Sequence, residues 1–238
     1  MNPYKIDILA FGAHPDDVEC AAAGVLIKHI GMGKTVAIID LTAGEMGSYG
    51  TAESRKSEAE TASKILEIQH REQLNLPDGS IENNEESRLK VIQMIRKYQP
   101  DIVLCNAIHD RHPDHANAAK LVADACFLSG LKMKETFANG ISQNPWRPKA
   151  VYHYIQDYYV DPDFVIDISL EMDIKLKAIQ AFESQFVTAN SNDANGISGL
   201  IDQIKSTNSI FGRPINAKFA EGFTVNRYLG VSDFYSLI

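Results

Sequence analysis

Histidines and aspartates occur in two short clusters whose residue types could hold a metal ion beside a catalytic carboxylate. Residues 14–17 read His-Pro-Asp-Asp, and residues 112–115 read His-Pro-Asp-His. Zinc in hydrolases is usually bound by three protein ligands, and its fourth position stays open for water. Imidazole nitrogen and carboxylate oxygen both suit that ion. The two clusters therefore predict one metal site assembled from distant parts of the chain.

Spacing selects the ligands within these clusters. His14 and Asp17 are three residues apart across a turn that would start a helix, so their side chains can point to the same side. His115 from the second cluster is the natural third ligand. Asp16 then lies beside the metal without binding it, where a free carboxylate can act as general base for the attacking water.

His112 remains available for a second catalytic role. It lies three residues before His115 and would face the opposite side of the reacting atom. Asp114 could orient it or favour its charged form. An imidazolium there would stabilise a developing oxyanion, and removing such a group typically costs about 2.7–4 kcal/mol of barrier stabilisation.

A structural interpretation of each cluster stays open. Asp16 or Asp17 could be a helix N-cap, and residues 112–115 could form a polar turn. Capping does not readily account for two such clusters that both follow a buried strand. The coincidence favours the metal site.

The elements that position these clusters alternate between strand and helix patterns. Strands are predicted over residues 6–12, 35–41, 71–76, 101–106, 150–155 and 164–168. Helices are predicted over residues 18–30, 53–67, 85–98, 115–129, 170–182 and 197–206. This alternation is typical of an α/β fold with a Rossmann-like, mostly parallel sheet and helices on both faces. Ligands of such sheets bind outside the carboxyl ends of the strands, which is where both clusters lie.

Length and composition favour one soluble domain over residues 1–238, with residues 187–238 as a less regular C-terminal segment. The formal net charge is −8, from 31 acidic and 23 basic residues, so nucleic acid and anionic membranes are poor partners. No signal peptide is recognisable, and no stretch approaches the roughly 18 apolar residues of a membrane span. Three scattered cysteines are typical of reduced thiols, and we expect a cytoplasmic location.

The two clusters, with Ala13 before the first and Ala116-Asn117 after the second, resemble the LmbE/PIG-L-type zinc N-deacetylases. The resemblance covers nearly the whole chain and implies hydrolysis of the acetamide of an N-acetylglucosaminyl compound. Several further segments look most like the bacillithiol-biosynthesis branch: residues 40–42, Arg55, 111–115, 182–186 and 220–223. That branch implies N-acetylglucosaminyl malate as the small-molecule substrate.

Residue by residue, the resemblance implies the roles that spacing already suggests. The zinc ligands would be His14, Asp17 and His115, the general base Asp16, and the electrostatic histidine His112 with Asp114 as its partner. Arg55 and, by a less certain alignment, Arg147 would contact the substrate, since guanidinium pairs well with the carboxylates of malate. Some relatives carry a tyrosine where this chain has Asp110. Fe²⁺ could replace Zn²⁺ in the cell, and the family implies a homo-oligomer.

Three other functions remain open. A metal phosphoesterase would usually need a second metal roughly 3.5–4 Å away, for which few ligands remain. A sugar- or nucleotide-binding module without catalysis would not need both Asp16 and His112. An Fe(II) oxygenase also uses two histidines and one carboxylate, but the parallel α/β pattern disfavours it.

Overall fold

The computed structural model describes residues 2–186 and 197–237 of the chain. Its strands are β1 (Ile8–Gly12), β2 (Val36–Asp40), β3 (His70–Gln73), β4 (Ile102–Cys105), β5 (Phe137–Ala138), β6 (Ile141–Ser142), β7 (Ala150–Tyr154), β8 (Phe164–Asp167) and β9 (Ala220–Thr224). Its α-helices are α1 (Asp17–Gly31), α2 (Ala52–Ile65), α3 (Glu85–Tyr98), α4 (Pro113–Leu128), α5 (Met172–Gln180), α6 (Glu183–Phe186) and α7 (Ile197–Gly212).

Seven strands form one sheet in the order β3-β2-β1-β4-β7-β9-β8. The first five in this order run parallel, while β9 runs antiparallel to both β7 and β8. Helices connect the parallel strands, as right-handed βαβ crossovers require. The predicted α/β class with a mostly parallel sheet is therefore confirmed. The remaining strands, β5 and β6, pair as a separate small hairpin.

Helices cover both faces of this sheet, which explains why its central strands are continuous apolar runs. Every residue of β1 and β2 is buried. On one face, side chains such as Leu9 and Ile39 pack against α3 and α4. On the other face, side chains such as Ile8 and Ile38 pack against α1, α5 and α7. Strands that are buried on both faces lose the alternation of apolar and polar residues seen in half-exposed sheets.

The C-terminal part is more regular than its sequence predicts. Helix α7 has 16 residues and continues beyond the expected end at residue 206. Strand β9 is fully buried and enters the main sheet between β7 and β8. The expectation of a less regular segment over 187–238 is therefore wrong for residues 197–224, while residues 187–196 lie outside the described part. Glycine and acidic residues in β9 hide its strand character from a periodicity argument.

The helices are those of a globular domain. The longest among the described residues, α4 and α7, have 16 residues each. A bilayer-spanning helix needs about 20 predominantly apolar residues. Accordingly, none of the helices in the described ranges has the length and apolar character needed to cross a membrane.

Candidate active site

The two predicted clusters meet at the carboxyl edge of the sheet. Residues 14–17 connect the end of β1 to the start of α1, and residues 112–115 form the first turn of α4 after β4. Strands β1 and β4 are parallel neighbours, so the residues that follow them emerge at the same edge. The imidazole rings of His14 and His115 have centroids 5.4 Å apart, and those of His14 and His112 are 4.6 Å apart.

Asp17 lies close to both His14 and His115, the other two predicted ligands. The Asp17 carboxylate lies 3.5 Å from Nδ1 of His14 and 3.2 Å from Nε2 of His115. A tetrahedral ion with bonds of about 2.0–2.1 Å places neighbouring ligand atoms about 3.3 Å apart. All three residues are buried, at 8%, 5% and 9% exposure. Two imidazoles and one carboxylate are donors that suit a divalent cation.

Other donor combinations also lie within reach of one ion. Nitrogen atoms of His14, His112 and His115 lie within 4.8 Å of one another, as do donors of His14, Asp78 and Asp114. The second combination approaches His14 through Nε2, the ring nitrogen that faces away from Asp17. His14 can therefore bind a cation with one nitrogen while carboxylates surround the other.

Carboxylates lie beside both candidate metal-binding histidines, and one of them, Asp110, forms a hydrogen bond with His115. Asp110, whose side chain is fully buried, lies 2.6 Å from Nδ1 of His115. Asp78 and Asp114 lie 3.1 and 3.4 Å from Nε2 of His14. Burial opposes protonation, but these carboxylates and Asp17 outweigh it. They raise the pKa of His14 to about 12 and that of His115 to about 10. Such outer carboxylates fix ring orientation and make imidazole a better metal ligand.

Asp17 is held by two side-chain amides. Asn106, just after β4, donates through Nδ2 to Oδ2 of Asp17 at 2.9 Å. Gln156, just after β7, donates through Nε2 to Oδ1 at 3.1 Å. Burial alone would raise the pKa of Asp17, but His115 and His14 outweigh it and hold that pKa well below its usual range. The carboxylate is thus ionised and immobile, as a metal ligand must be.

Asp16 lies beside this donor set in a strained conformation. Its backbone φ is 120°, a left-handed value that residues other than glycine rarely adopt. Its side chain makes no capping hydrogen bond to α1, so the structure does not support the alternative that Asp16 is a plain N-cap. Burial raises the pKa of Asp16 to about 7, although Arg55 lowers it. Strain and desolvation at one carboxylate are typical of a functional site.

Arg55 holds Asp16 in place. Its guanidinium donates to Oδ2 of Asp16 at 3.1 Å and to the carbonyl oxygens of Pro15 and Gly44 at 2.6 and 3.0 Å. A Cβ atom on Gly44 would lie 1.9 Å from Nη1 of Arg55, so glycine is needed for this approach. Arg55 lines the site, as expected of a substrate arginine, but its hydrogen bonds position the candidate base.

His112 faces the site as a neutral donor. Its Nδ1 accepts the backbone N–H of Asp114 at 3.2 Å and thereby caps α4. A neutral ring that accepts through Nδ1 carries its proton on Nε2. Burial, together with the neighbouring His14 and His115, lowers the pKa of His112. A neutral N–H thus replaces the expected imidazolium.

The Asp114 carboxylate forms its hydrogen bonds with groups other than His112. The Asp114 carboxylate accepts the backbone N–H groups of Gly79 at 2.7 Å and Ile81 at 3.1 Å. These bonds turn the carboxylate toward the loop after β3, where it meets Nε2 of His14. Asp114 therefore lies beside a candidate metal ligand; it donates its backbone N–H to His112, and its charge favours the protonated form of that ring.

Arg147 does not reach the site. It directly precedes β7 and so lies at the amino edge of the sheet, opposite the two clusters. Its guanidinium donates to the carbonyl oxygen of Phe127 at 2.9 Å and stacks on that ring, 4.3 Å from its centroid. The predicted substrate contact is not supported, because this position is fixed by packing against α4.

Four contributors to the site were not predicted: Asp78, Asn106, Asp110 and Gln156. Each follows a parallel strand, Asp78 after β3, Asn106 and Asp110 after β4, and Gln156 after β7. Polar residues directly after strands β4 and β7 were a usable signal, because strand carboxyl ends converge. The turn at residues 77–79 carried no such signal, since Pro-Asp-Gly is common in turns without function.

A cavity of about 340 Å³ opens above the cluster. His14, Asp16, Asp17, His112 and His115 all line it. Further along, the wall is formed by residues from α1, α6, α7 and the end of β7. Its size suits a small molecule rather than a polymer segment.

Comparison with known proteins identifies relatives of this chain. The PIG-L family model, described as GlcNAc-PI de-N-acetylase, matches residues 9–126. Diacetylchitobiose deacetylase of Thermococcus kodakarensis is 30% identical over 189 residues, which are 75% of this chain and 70% of that protein. A probable N-acetyl-alpha-D-glucosaminyl L-malate deacetylase of Bacillus subtilis is 26% identical over 194 residues, which are 76% of this chain and 84% of that protein.

Among solved structures, a conserved protein from Thermus thermophilus superposes with a TM-score of 0.85. It is 33% identical, and the match covers 95% of this chain and 98% of that one. The matched family segment contains both histidine–aspartate clusters, so sequence, fold and site geometry agree. The chain belongs to the PIG-L/LmbE family of de-N-acetylases.

Proposed function

We propose that this protein hydrolyses the N-acetyl group of an N-acetylglucosaminyl conjugate with the help of one zinc ion. The observation that carries the proposal is the convergence of His14, Asp17 and His115 beside the desolvated carboxylate of Asp16. Named relatives that are deacetylases of N-acetylated sugars support the same reaction. Similarity of fold alone would not support this reaction, because one fold can host unrelated reactions.

The residues around the cluster can perform each proton transfer of amide hydrolysis. A divalent cation held by His14, Asp17 and His115 would polarise the acetyl carbonyl and acidify a water molecule. Asp16 takes the proton from the attacking water and returns it to the departing amine. His112 donates its Nε2–H to the oxyanion that develops on the carbonyl oxygen.

Zinc fits this donor set best because two imidazoles and one carboxylate leave an open position. Ferrous iron accepts the same ligands and could serve in the cell. Hydrolysis needs no change in the oxidation state of the metal, so either ion supports the same residue roles.

The conjugate itself is the least constrained part of the proposal. The sequence favours N-acetylglucosaminyl malate, and the Bacillus subtilis relative supports that substrate. The Thermococcus relative supports a disaccharide instead. Arg147 was one of two arginines expected to bind malate, and its place on Phe127 removes that argument.

An amine-release assay tests the proposed function directly. Purified protein, with and without added zinc, is incubated with N-acetylglucosaminyl malate, free N-acetylglucosamine and diacetylchitobiose. We expect zinc-dependent release of amine from at least one of them, and the order of rates identifies the conjugate. If the protein binds these sugars but releases no amine, it is a sugar-binding module and not an enzyme.

A further inference from the structure

The cavity has two chemically different ends. One end contains the candidate metal ligands and Asp16. The other end is lined by apolar side chains from four elements: Ala21, Ile155, Phe186, Leu200, Ile204 and Phe211. Most are firmly packed, since Ala21, Ile155, Ile204 and Phe211 are 3–9% exposed. A wall built from buried side chains is a fixed surface, so the apolar end belongs to the fold.

The apolar end begins directly beside the catalytic residues. Cys20 and Ala21 line the cavity one helical turn after Asp16 and Asp17. Four residues of α-helix advance about 6 Å along the axis, which is the length of a few carbon–carbon bonds. If the amide of a substrate lies at the metal ligands, a group attached close to that amide therefore contacts the apolar wall.

Charge at the cavity argues against an anionic group there. Arg55 and Arg111 are the two Lys or Arg side chains among the described lining residues. Arg55 is engaged by Asp16 and two carbonyl oxygens, and Arg111 pairs with Asp157. Carboxylates of Asp16, Asp17 and Asp78 also line the cavity. A dicarboxylate would therefore lose water without gaining a free cationic partner.

Two of the polar side chains at the apolar end, those of Asn208 and Gln203, are already hydrogen-bonded within the protein, and the hydroxyl of Thr207 also lines the cavity. Asn208 lines the cavity but donates through Nδ2 to the carbonyl oxygen of Ala220 at 2.7 Å. Gln203, at the rim, donates through Nε2 to Oδ1 of Asp157 at 2.9 Å. These groups offer little to a second sugar hydroxyl. The surface that remains for a ligand is mostly aliphatic and aromatic carbon.

We infer that the cavity selects an amino-sugar substrate that carries an uncharged apolar substituent, which packs between α1, β7 and α7. The substituent is either an acyl chain longer than acetyl or an apolar aglycone, because both place aliphatic or aryl carbon near the amide. This inference rests on the proposed function: an apolar aglycone narrows its substrate class, whereas a longer acyl chain extends the hydrolysed group from N-acetyl to N-acyl. It predicts that N-acetylglucosaminyl malate is a poor substrate.

Two substrate series separate the sources of the apolar group. The first is methyl glucosaminide with N-acetyl, N-butanoyl and N-hexanoyl groups, and the second is N-acetylglucosamine with methyl, butyl, hexyl and malyl aglycones. We expect kcat/KM to rise by about fourfold for each added methylene in one of the two series, until the cavity is filled. Flat or falling values in both series, or a malyl compound better than the butyl one, would overturn the inference.

A binding measurement keeps the inference separate from the proposed reaction. Methyl and hexyl glucosaminide contain no amide, and their affinities are compared by calorimetry on the zinc-loaded protein. If no compound of either series releases amine, the proposed function fails. Tighter binding of the hexyl compound would still support an apolar site for the aglycone, whereas equal binding together with a flat acyl series would refute the apolar site.

Variants of α7 provide matched controls. Ile204→Gln places an amide in the apolar wall, and we expect the ratio of kcat/KM for the preferred long substrate to that for the methyl N-acetyl compound to fall about tenfold. Ile210→Gln makes the same change on the same helix at a 54% exposed position outside the lining, and the ratio should not change. Leu200→Gln repeats the test if thermal melting shows that Ile204→Gln does not fold. A wild-type ratio in the folded wall variants would contradict the inference.

Discussion

At the scale of single residues, the two candidate metal-binding histidines share one arrangement. Each presents one ring nitrogen to Asp17 and the other to a carboxylate, Asp110 for His115 and the Asp78–Asp114 pair for His14. With both pKa values raised, each ring carries a proton on both nitrogens when no metal is bound. A metal ion would replace the proton on one nitrogen, while the outer carboxylate favours the proton on the other. The acidic residues of this region therefore act on the candidate metal ligands as well as on the charge of the cavity.

Asp110→Asn tests this arrangement. An amide cannot favour the required tautomer as a carboxylate does, and we expect zinc affinity to fall about 10–100-fold. Competition with a chromogenic chelator measures the affinity. Asp101→Asn is the control, because Asp101 forms an ion pair with Lys149 far from the site. Equal zinc affinities of the two variants would show that Asp110 does not support metal binding.

Asp16 and His14 should separate catalysis from metal binding. Asp16→Asn removes the proposed base and keeps the three ligands, so we expect bound zinc and a loss of turnover of about 10²–10⁴-fold. His14→Ala removes a ligand, so zinc itself should be lost. Elemental analysis and the amine-release assay give both readouts. Equal metal loss in both variants would mean that base and ligand are wrongly assigned.

The pH profile reports on the same carboxylate. Asp16 acts as a base only when it is ionised, and burial raises its pKa to about 7. A cation bound at Asp17 would favour the ionised form and lower this value. We therefore expect kcat/KM to rise with pH along a limb centred at or below about pH 7. This limb should be absent from the residual activity of Asp16→Asn, and its persistence would assign it to another group.

At the scale of secondary-structure elements, strand ends were easier to predict than side-chain partners. Apolar runs located β1 and β4, and the parallel pattern indicated that residues 14–17 and 112–115 meet. The partner of Asp114 could not be predicted, since its carboxylate is oriented by backbone N–H groups of a turn after β3. Strand β9 also could not be predicted from the sequence, because its burial depends on neighbours distant in the chain.

Strand β9 contributes an unusual buried ion pair with helix α5. Glu221 and Lys175 are both fully buried and 2.7 Å apart. The Glu221 carboxylate also accepts the backbone N–H groups of Gly24 and Val25 in the middle of α1. This single side chain thus joins α1, α5 and β9 behind the site. Replacing this carboxylate by an amide leaves one acceptor oxygen in place of two, and it leaves the Lys175 ammonium buried without its counter-charge.

Glu221→Gln should therefore lower the free energy of unfolding by about 3–5 kcal/mol, as breaking a buried pair usually does. Urea unfolding followed by circular dichroism measures the change. The double variant Glu221→Gln with Lys175→Met should recover part of the loss, because it removes the unpaired ammonium. Single and double variants of equal stability would show that the charge pair itself is unimportant.

At the scale of the whole molecule, apolar side chains are exposed along the segment after β9. Tyr228, Phe234 and Tyr235 are 101%, 88% and 83% exposed. Several such residues in one segment are typical of a surface that contacts another protein. The homo-oligomer expected from the family resemblance remains a prediction, and this segment is the best candidate for its interface.

Light scattering coupled to gel filtration tests the association. We expect a mass above that of one 26.4 kDa chain. The pair of substitutions Tyr228→Ser and Phe234→Ser should reduce it, because less apolar surface would be buried between chains. Exposed Met133→Ser, on the loop after α4, is the control. A monomeric wild-type protein at micromolar concentration would contradict the prediction.

The left-handed backbone of Asp16 makes thermal stability and catalytic activity compete at this position. Holding a residue other than glycine in such a conformation costs of the order of 1–3 kcal/mol, and the desolvated carboxylate adds to that cost at neutral pH. Asp16→Gly would remove both the backbone strain and the buried carboxylate, and the variant should be more stable but inactive. Directed evolution of this protein for thermostability alone would thus enrich inactive variants, unless each round also selects for product formation.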